Sequence, residues 1–145
     1  MVTGITNNKI AADRRDGSVD DVKPFGIHHV SINVSDLAEA HEFYVGVLGL
    51  EARVDRPTFE LDGAWLNAGG QQVHLVVAEP PPFLGQHFAV LVDDVASTVD
   101  DLRARGVTVS TPSVVGTGLQ CFLRDPFGNL IDLHEVGAAT RQSVS

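Results

Sequence analysis

The chain repeats itself. A shift of 58 residues carries His29 onto His87, Val34 onto Val92, Asp36 onto Asp94 and Leu37 onto Val95. The same shift carries Gly70 onto Gly128, Val73 onto Ile131, His74 onto Asp132 and Leu75 onto Leu133, and upstream Leu61 onto Leu119. One offset that aligns separate segments predicts a tandem duplication. A duplication constrains architecture before any single motif does.

Each copy opens on a strand that runs into a helix. In FGIHHVSINVSDL, residues 25–37, His29, Ser31 and Asn33 alternate with Val30, Ile32 and Val34. That period of two marks one wet face and one buried face, and it puts His29 on the wet one. Ser35-Asp36 predicts an N-cap for a helix over 36–48, which carries Leu37, Phe43, Tyr44 and Leu48 and ends at Gly49. Residues 51–56 predict a strand that Pro57 breaks, and 60–69 and 71–78 predict a hairpin turning at Gly69-Gly70. The second copy predicts a strand at 87–92, a helix at 94–105 and strands at 107–111, 118–124 and 130–135. The turn Asp125-Pro126-Phe127-Gly128-Asn129 joins the last two.

The expected fold class is therefore α+β. Two tandem βαβββ modules form a cupped, barrel-like mixed sheet with the helices outside. Residues 1–23 read as a flexible polar arm, 24–79 as the first module, 87–136 as the second and 137–145 as a loose tail. Pro80-Pro81-Pro82 stiffens the linker 80–86 between the modules.

Composition excludes several classes of function. A net charge of −9, with Lys and Arg few and scattered, argues against nucleic acid and against an anionic membrane surface. No apolar run approaches the ~18–20 residues needed to span a bilayer. Asn7, Asn8, Lys9 and Asp13 interrupt any signal-peptide pattern. Cys121 is the only cysteine, which rules out a disulfide framework and points to the cytoplasm.

The wet faces of the first and last strands carry His29, His74, His87 and Asp132 at matching places in the two copies. Pseudo-twofold symmetry would bring these four together at the centre of the cup. Neutral imidazoles and one carboxylate suit a divalent ion such as Zn, Fe, Ni, Mn or Co, and suit calcium poorly. Four ligands on an octahedral ion leave two positions for water or a chelating small molecule. Asn33, Trp65 and His134 are candidates for the pocket wall, with Phe59 beside them. Arg53 and Arg56 read either as anion-binding groups or as a solvated strand edge. His28 and Glu135 fall on the opposite faces of their strands, and His41 lies on the helix.

These motifs carry a resemblance. HHVSINVSDLAEAHEFYVGVLGL, GAWLNAGGQQVHL, HFAVLVDDV and RDPFGNLIDLHE, in this order, resemble the vicinal oxygen chelate superfamily over residues 26 to 136. That superfamily includes glyoxalases, extradiol dioxygenases, an epimerase and the fosfomycin and bleomycin resistance proteins. The resemblance implies metal ligands at His29, His87 and Asp132, with His74 either a fourth ligand or a residue that supports the ligands. Asp132 departs from the family's usual glutamate and is one methylene shorter. The resemblance further implies a homodimer with a small-molecule substrate. It leaves three activities open: a glyoxalase-type lyase or isomerase, an Fe(II) extradiol dioxygenase, and an antibiotic-binding protein without catalysis.

Overall fold

The computed structural model describes residues 21–137. The expected arm (1–23) and tail (137–145) lie almost wholly outside the described residues. In chain order the elements are β1 (His29–Val34), α1 (Leu37–His41), β2 (Glu51–Ala52), β3 (Gly63–Ala68) and β4 (Gln71–Val77), then β5 (His87–Leu91), α2 (Val95–Ala104), β6 (Ser113–Val115), β7 (Gly118–Arg124) and β8 (Leu130–Glu135). Among the described residues no helix is long and apolar enough to cross a membrane.

Each half builds its own mixed sheet, in the orders β1-β4-β3-β2 and β5-β8-β7-β6. First and last strands pair in parallel, and the rest pair antiparallel. The fold is α+β with the βαβββ order repeated. The two sheets are not closed into one barrel, because no strand of one pairs with a strand of the other.

The alternation predicted for the end strands sets the layers. Val73 and Leu75 of β4 and Ile131 and Leu133 of β8 are buried. They pack into one contiguous core with Val34, Tyr44, Val95, Val99 and Leu102. The two helices open on equivalent caps. Asp36 Oδ1 accepts from the Glu39 N–H at 2.9 Å, and Asp94 Oδ1 from the Ser97 N–H at 3.0 Å. Such caps contribute ~1 kcal/mol each. The α2 terminus has a second acceptor, since Glu135 Oε1 takes the Val95 N–H at 2.9 Å.

Four local expectations need correction. The helix expected over 36–48 is α-helical only to His41, and Glu42–Val47 continue it as a π-helical turn. The Leu48 N–H reaches back to Phe43 O at 2.9 Å, and the wider turn buries both Phe43 and Tyr44. The strand expected over 51–56 stops at Ala52; beyond it Arg53 and Asp55 pair with each other.

The strand expected over 107–111 does not form. The Ser110 hydroxyl takes the Phe122 N–H at 2.8 Å in place of a backbone carbonyl, and Pro112 has no N–H to give. Pairing resumes at β6. Finally, Leu61 does not correspond to Leu119. Trp65 pairs with His74 and Phe122 with Asp132, so the third strands are related by 57 residues, not 58. The β3–β4 turn is Gly69-Gly70 alone, whereas residues 125–129 join β7 to β8, and the path from Phe122 to Asp132 is one residue longer than that from Trp65 to His74.

That longer turn joins the halves. Asp125 is buried, and its Oδ1 accepts from the backbone N–H groups of Phe127 (2.9 Å) and Asn129 (2.8 Å). Its Oδ2 accepts from the Asn129 amide at 2.8 Å and from the Tyr44 hydroxyl of the first half at 2.7 Å. The Asn129 amide also donates to Asn33 O at 2.9 Å. Arg105 of the second half donates to Gly46 O at 2.7 Å and to Val47 O at 3.3 Å, at the end of the π-helical turn.

Replacing Tyr44 by Phe is expected to cost about 1–3 kcal/mol in urea unfolding, the range for removing one donor from a buried charged acceptor. Asp125→Ala is expected to cost more than Tyr44→Phe, because it strips the turn of its organising acceptor as well.

Candidate functional site

The open face of the first sheet gathers His29 and His74. Their strands are neighbours in register, with Ser31 opposite His74, so the two rings reach each other across one strand spacing. The rings stack with centroids 3.9 Å apart and 13° from parallel. Each is held by a further group. His28 Nδ1 and His29 Nδ1 lie 2.8 Å apart, so one donates and the other accepts. His74 Nε2 lies 2.8 Å from Gln72 Oε1, which accepts its proton. Trp65 stacks on the other side of His74 at 4.7 Å and 14°.

The second sheet gathers His87, Asp132 and His134. His87 Nδ1 donates to Gly85 O at 2.9 Å, which leaves its Nε2 as the free lone pair. The Phe122 ring meets the His87 ring edge-on at 5.7 Å. Asp132 is only 5% exposed. Its Oδ1 is buried with no hydrogen-bond partner, and His134 Nδ1 stands 3.8 Å away, too far to donate. Burial pushes the Asp132 carboxyl above the usual carboxylate range, while His134 and His87 pull it the other way. A buried carboxylate oxygen left without a donor is unfavourable, and a cation is one of the few partners that satisfies it. The donors present thus fit a divalent ion, with His87 and Asp132 on one sheet and His29 and His74 on the other.

Among the described residues of one chain, no three His, Cys, Asp or Glu side chains stand together so as to hold one ion. The four expected ligands are thus not brought together at one centre: His29 and His74 meet on the first sheet, and His87 and Asp132 lie on neighbouring strands of the second. Of the expected pocket residues, Trp65 lies beside His74 and His134 beside Asp132. Asn33 is turned to the end of the first module, where its amide donates to Glu79 O at 3.1 Å. Cys121 is buried, and burial raises its thiol pKa, so it is a core residue.

A family model described as the glyoxalase/bleomycin resistance protein/dioxygenase superfamily matches residues 26–133. The chain belongs to that superfamily. Among curated relatives, a "probable lactoylglutathione lyase" of Synechocystis sp. is 30% identical over 119 residues, 72% of this chain and 91% of that protein. A chloroplastic "probable lactoylglutathione lyase" of Arabidopsis thaliana is 31% identical over 123 residues, 75% of this chain but 35% of the longer protein. Among solved structures, a glyoxalase family protein from Bacillus anthracis superposes with a TM-score of 0.69 at 26% identity, covering 81% of this chain and 99% of that one. TnmS3, an antibiotic binding protein from Streptomyces sp. CB03234, gives 0.65 at 27% identity, covering 81% and 100%.

Two further residues, Gln72 and His28, support the imidazoles. Gln72 shares the wet face of β4 two residues before His74, and the alternation of QQVHLVV carries that signal. His28 belongs to the opposite face by alternation, yet it precedes β1, where the pleat does not yet bind it.

Burial, and then the charges of His29, His28, Arg53 and Arg56, lower the His74 pKa from 6.5 to about 4. Between those values the unfolded chain binds a proton here that the folded chain refuses. The urea midpoint of chelator-treated protein is therefore expected to fall as the pH drops from 6.5 towards 4, and to gain nothing from this group above 6.5. His74→Gln is expected to flatten that dependence.

Proposed function

We propose that this protein is a metal-dependent enzyme of the glyoxalase type, a lyase or isomerase acting on a small molecule that presents adjacent oxygens. The observation that carries this reading is the unpartnered, buried Oδ1 of Asp132 beside His134 and on the sheet of His87. Membership of the superfamily and the lactoylglutathione lyase relatives support it. A divalent ion held by His29, His74, His87 and Asp132 would supply Lewis-acid polarisation of the substrate oxygens.

The surrounding residues prepare the ligand atoms. Gly85 O fixes the tautomer of His87, and Gln72 that of His74. His28 orients the His29 ring. Asp132, whose burial raises its affinity for a proton, and His134 are the groups suited to hold or pass a proton beside the substrate.

Because one chain supplies the ligands as two pairs, the complete site requires two copies, with the first sheet of one facing the second sheet of the other. The working form is then a homodimer with two sites.

Purified protein is expected to bind one divalent ion per chain and to gain thermal stability from it. His29→Ala, His87→Ala and Asp132→Asn should each weaken binding by ten-fold or more. Mixing His29→Ala with His87→Ala chains should restore metal binding and lactoylglutathione turnover in part, since a mixed dimer regains one intact site. A site built within one chain would regain none. No oxygen uptake is expected from Fe(II)-loaded protein with catechols.

A second reading, an antibiotic-binding protein, draws on the likeness to TnmS3 and on the net charge of −9, which favours cationic ligands. Protein that takes up no metal and is stabilised by none would turn the assignment to it.

A further inference from the structure

The open face of the first sheet carries a row of rings set at strand spacing. His29 to His74 and His74 to Trp65 are stacked at 3.9 and 4.7 Å, close to the ~4.7–4.9 Å between neighbouring strands. Side chains stand roughly perpendicular to a sheet, so these rings stand upright over β1, β4 and β3 and turn their edges outward. Phe59 extends the row, 6.1 Å from Trp65 and 52% exposed. Arg56 ends it, with its guanidinium carbon 4.9 Å from the centre of the Phe59 ring. Ring edges carry the positive end of the aromatic quadrupole. The floor and its terminus therefore share one sign.

The two arginines of this loop differ in one respect that matters. Arg53 is neutralised: its Nε and Nη2 fork onto Asp55 at 2.9 and 2.7 Å, and its Nη1 donates to Asn67 Oδ1 at 3.0 Å. Arg56 donates to Leu61 O at 2.9 Å and to Pro57 O at 3.5 Å, and among the described residues no carboxylate pairs with it. Those carbonyls fix the guanidinium in place. They leave its charge uncompensated and most of its five donors unused. Arg103, Arg105 and Arg124 are likewise held by carbonyls, but Arg56 is the one that stands at the end of this row of rings.

We propose that Arg56 anchors a carboxylate at the far end of the substrate, whose unsaturated or aromatic body lies across the ring edges of Phe59 and Trp65 towards His74 and His29. The ligand class is a small aryl or unsaturated carboxylate. A planar carboxylate meets the guanidinium fork in two parallel hydrogen bonds. A flat body laid on ring edges makes the favoured edge-to-face contact. This inference rests on the open face being the substrate site, as proposed above, but not on the metal.

Trp65 is the only tryptophan, so its fluorescence reports on this row. Chelator-treated full-length chain is titrated with 3-phenylpropanoate and with the neutral 3-phenylpropanamide. The acid is expected to give a saturable change and to bind roughly ten-fold or more tightly than the amide, the scale of one charge-assisted pair. Arg56→Gln should abolish that preference. Arg53→Gln, whose charge Asp55 already cancels, should preserve it.

Equal binding of acid and amide, no saturable change with the acid, or an undiminished preference in folded Arg56→Gln protein would each overturn the proposal. The acid-to-amide comparison on the unmodified chain decides the matter even if the variant fails to fold. Since no metal is present, this outcome and that of the metal test are independent.

Discussion

The carboxylate of Asp125 is buried where the two halves of the chain meet, and the geometry of both sheets depends on it. Taking a charge out of water is costly unless hydrogen bonds replace the lost hydration. Here two backbone N–H groups, one amide and the Tyr44 hydroxyl replace it. Burial, and then the bond to Asp125, drive the Tyr44 pKa far above its ordinary value, so the hydroxyl is a fixed donor. Asn129 extends the same network to the β1 backbone at Asn33. Directional bonds to one carboxylate set their relative position.

With the halves locked through this seam, the open faces of the sheets are left to serve the site. Each face carries part of the proposed ligand set, and each part is kept in order by local means. The first relies on stacking, which holds His29, His74 and Trp65 parallel. The second relies on a backbone carbonyl at His87 and on burial at Asp132. Leu91, Val114 and Val115 remain exposed on the second half, apolar surface of the kind that association between copies covers.

Much of this was legible in the sequence because period-two alternation is strong wherever a strand has one wet face and one buried face. That holds for β1, β4, β5 and β8, where alternation alone puts His29 and His74 on the wet faces of their strands and Asp132 and His134 on one face of theirs. The offset matches His29 to His87 and His74 to Asp132, but a repeat pattern carries no distance between the two copies. Features that depend on competition between local groups were not legible. The Ser110 hydroxyl displaces a carbonyl and ends a strand that VTVS would otherwise suggest. The π-helical turn answers the need to bury Phe43 and Tyr44 together, which no local propensity encodes. The positions of Arg56 and Phe59 arise from a loop between β2 and β3, so sequence alone favoured a solvated strand edge for Arg56 and left Phe59 between pocket wall and core.

The unequal turns of the two halves carry a consequence for their symmetry. Gly69-Gly70 closes the first hairpin with no side chain to offer, and the residue 58 positions beyond Tyr44 is Leu102. The bond from Tyr44 to Asp125 therefore has no counterpart across the repeat. Two units alike in strand order are joined by a one-way latch and cannot trade places.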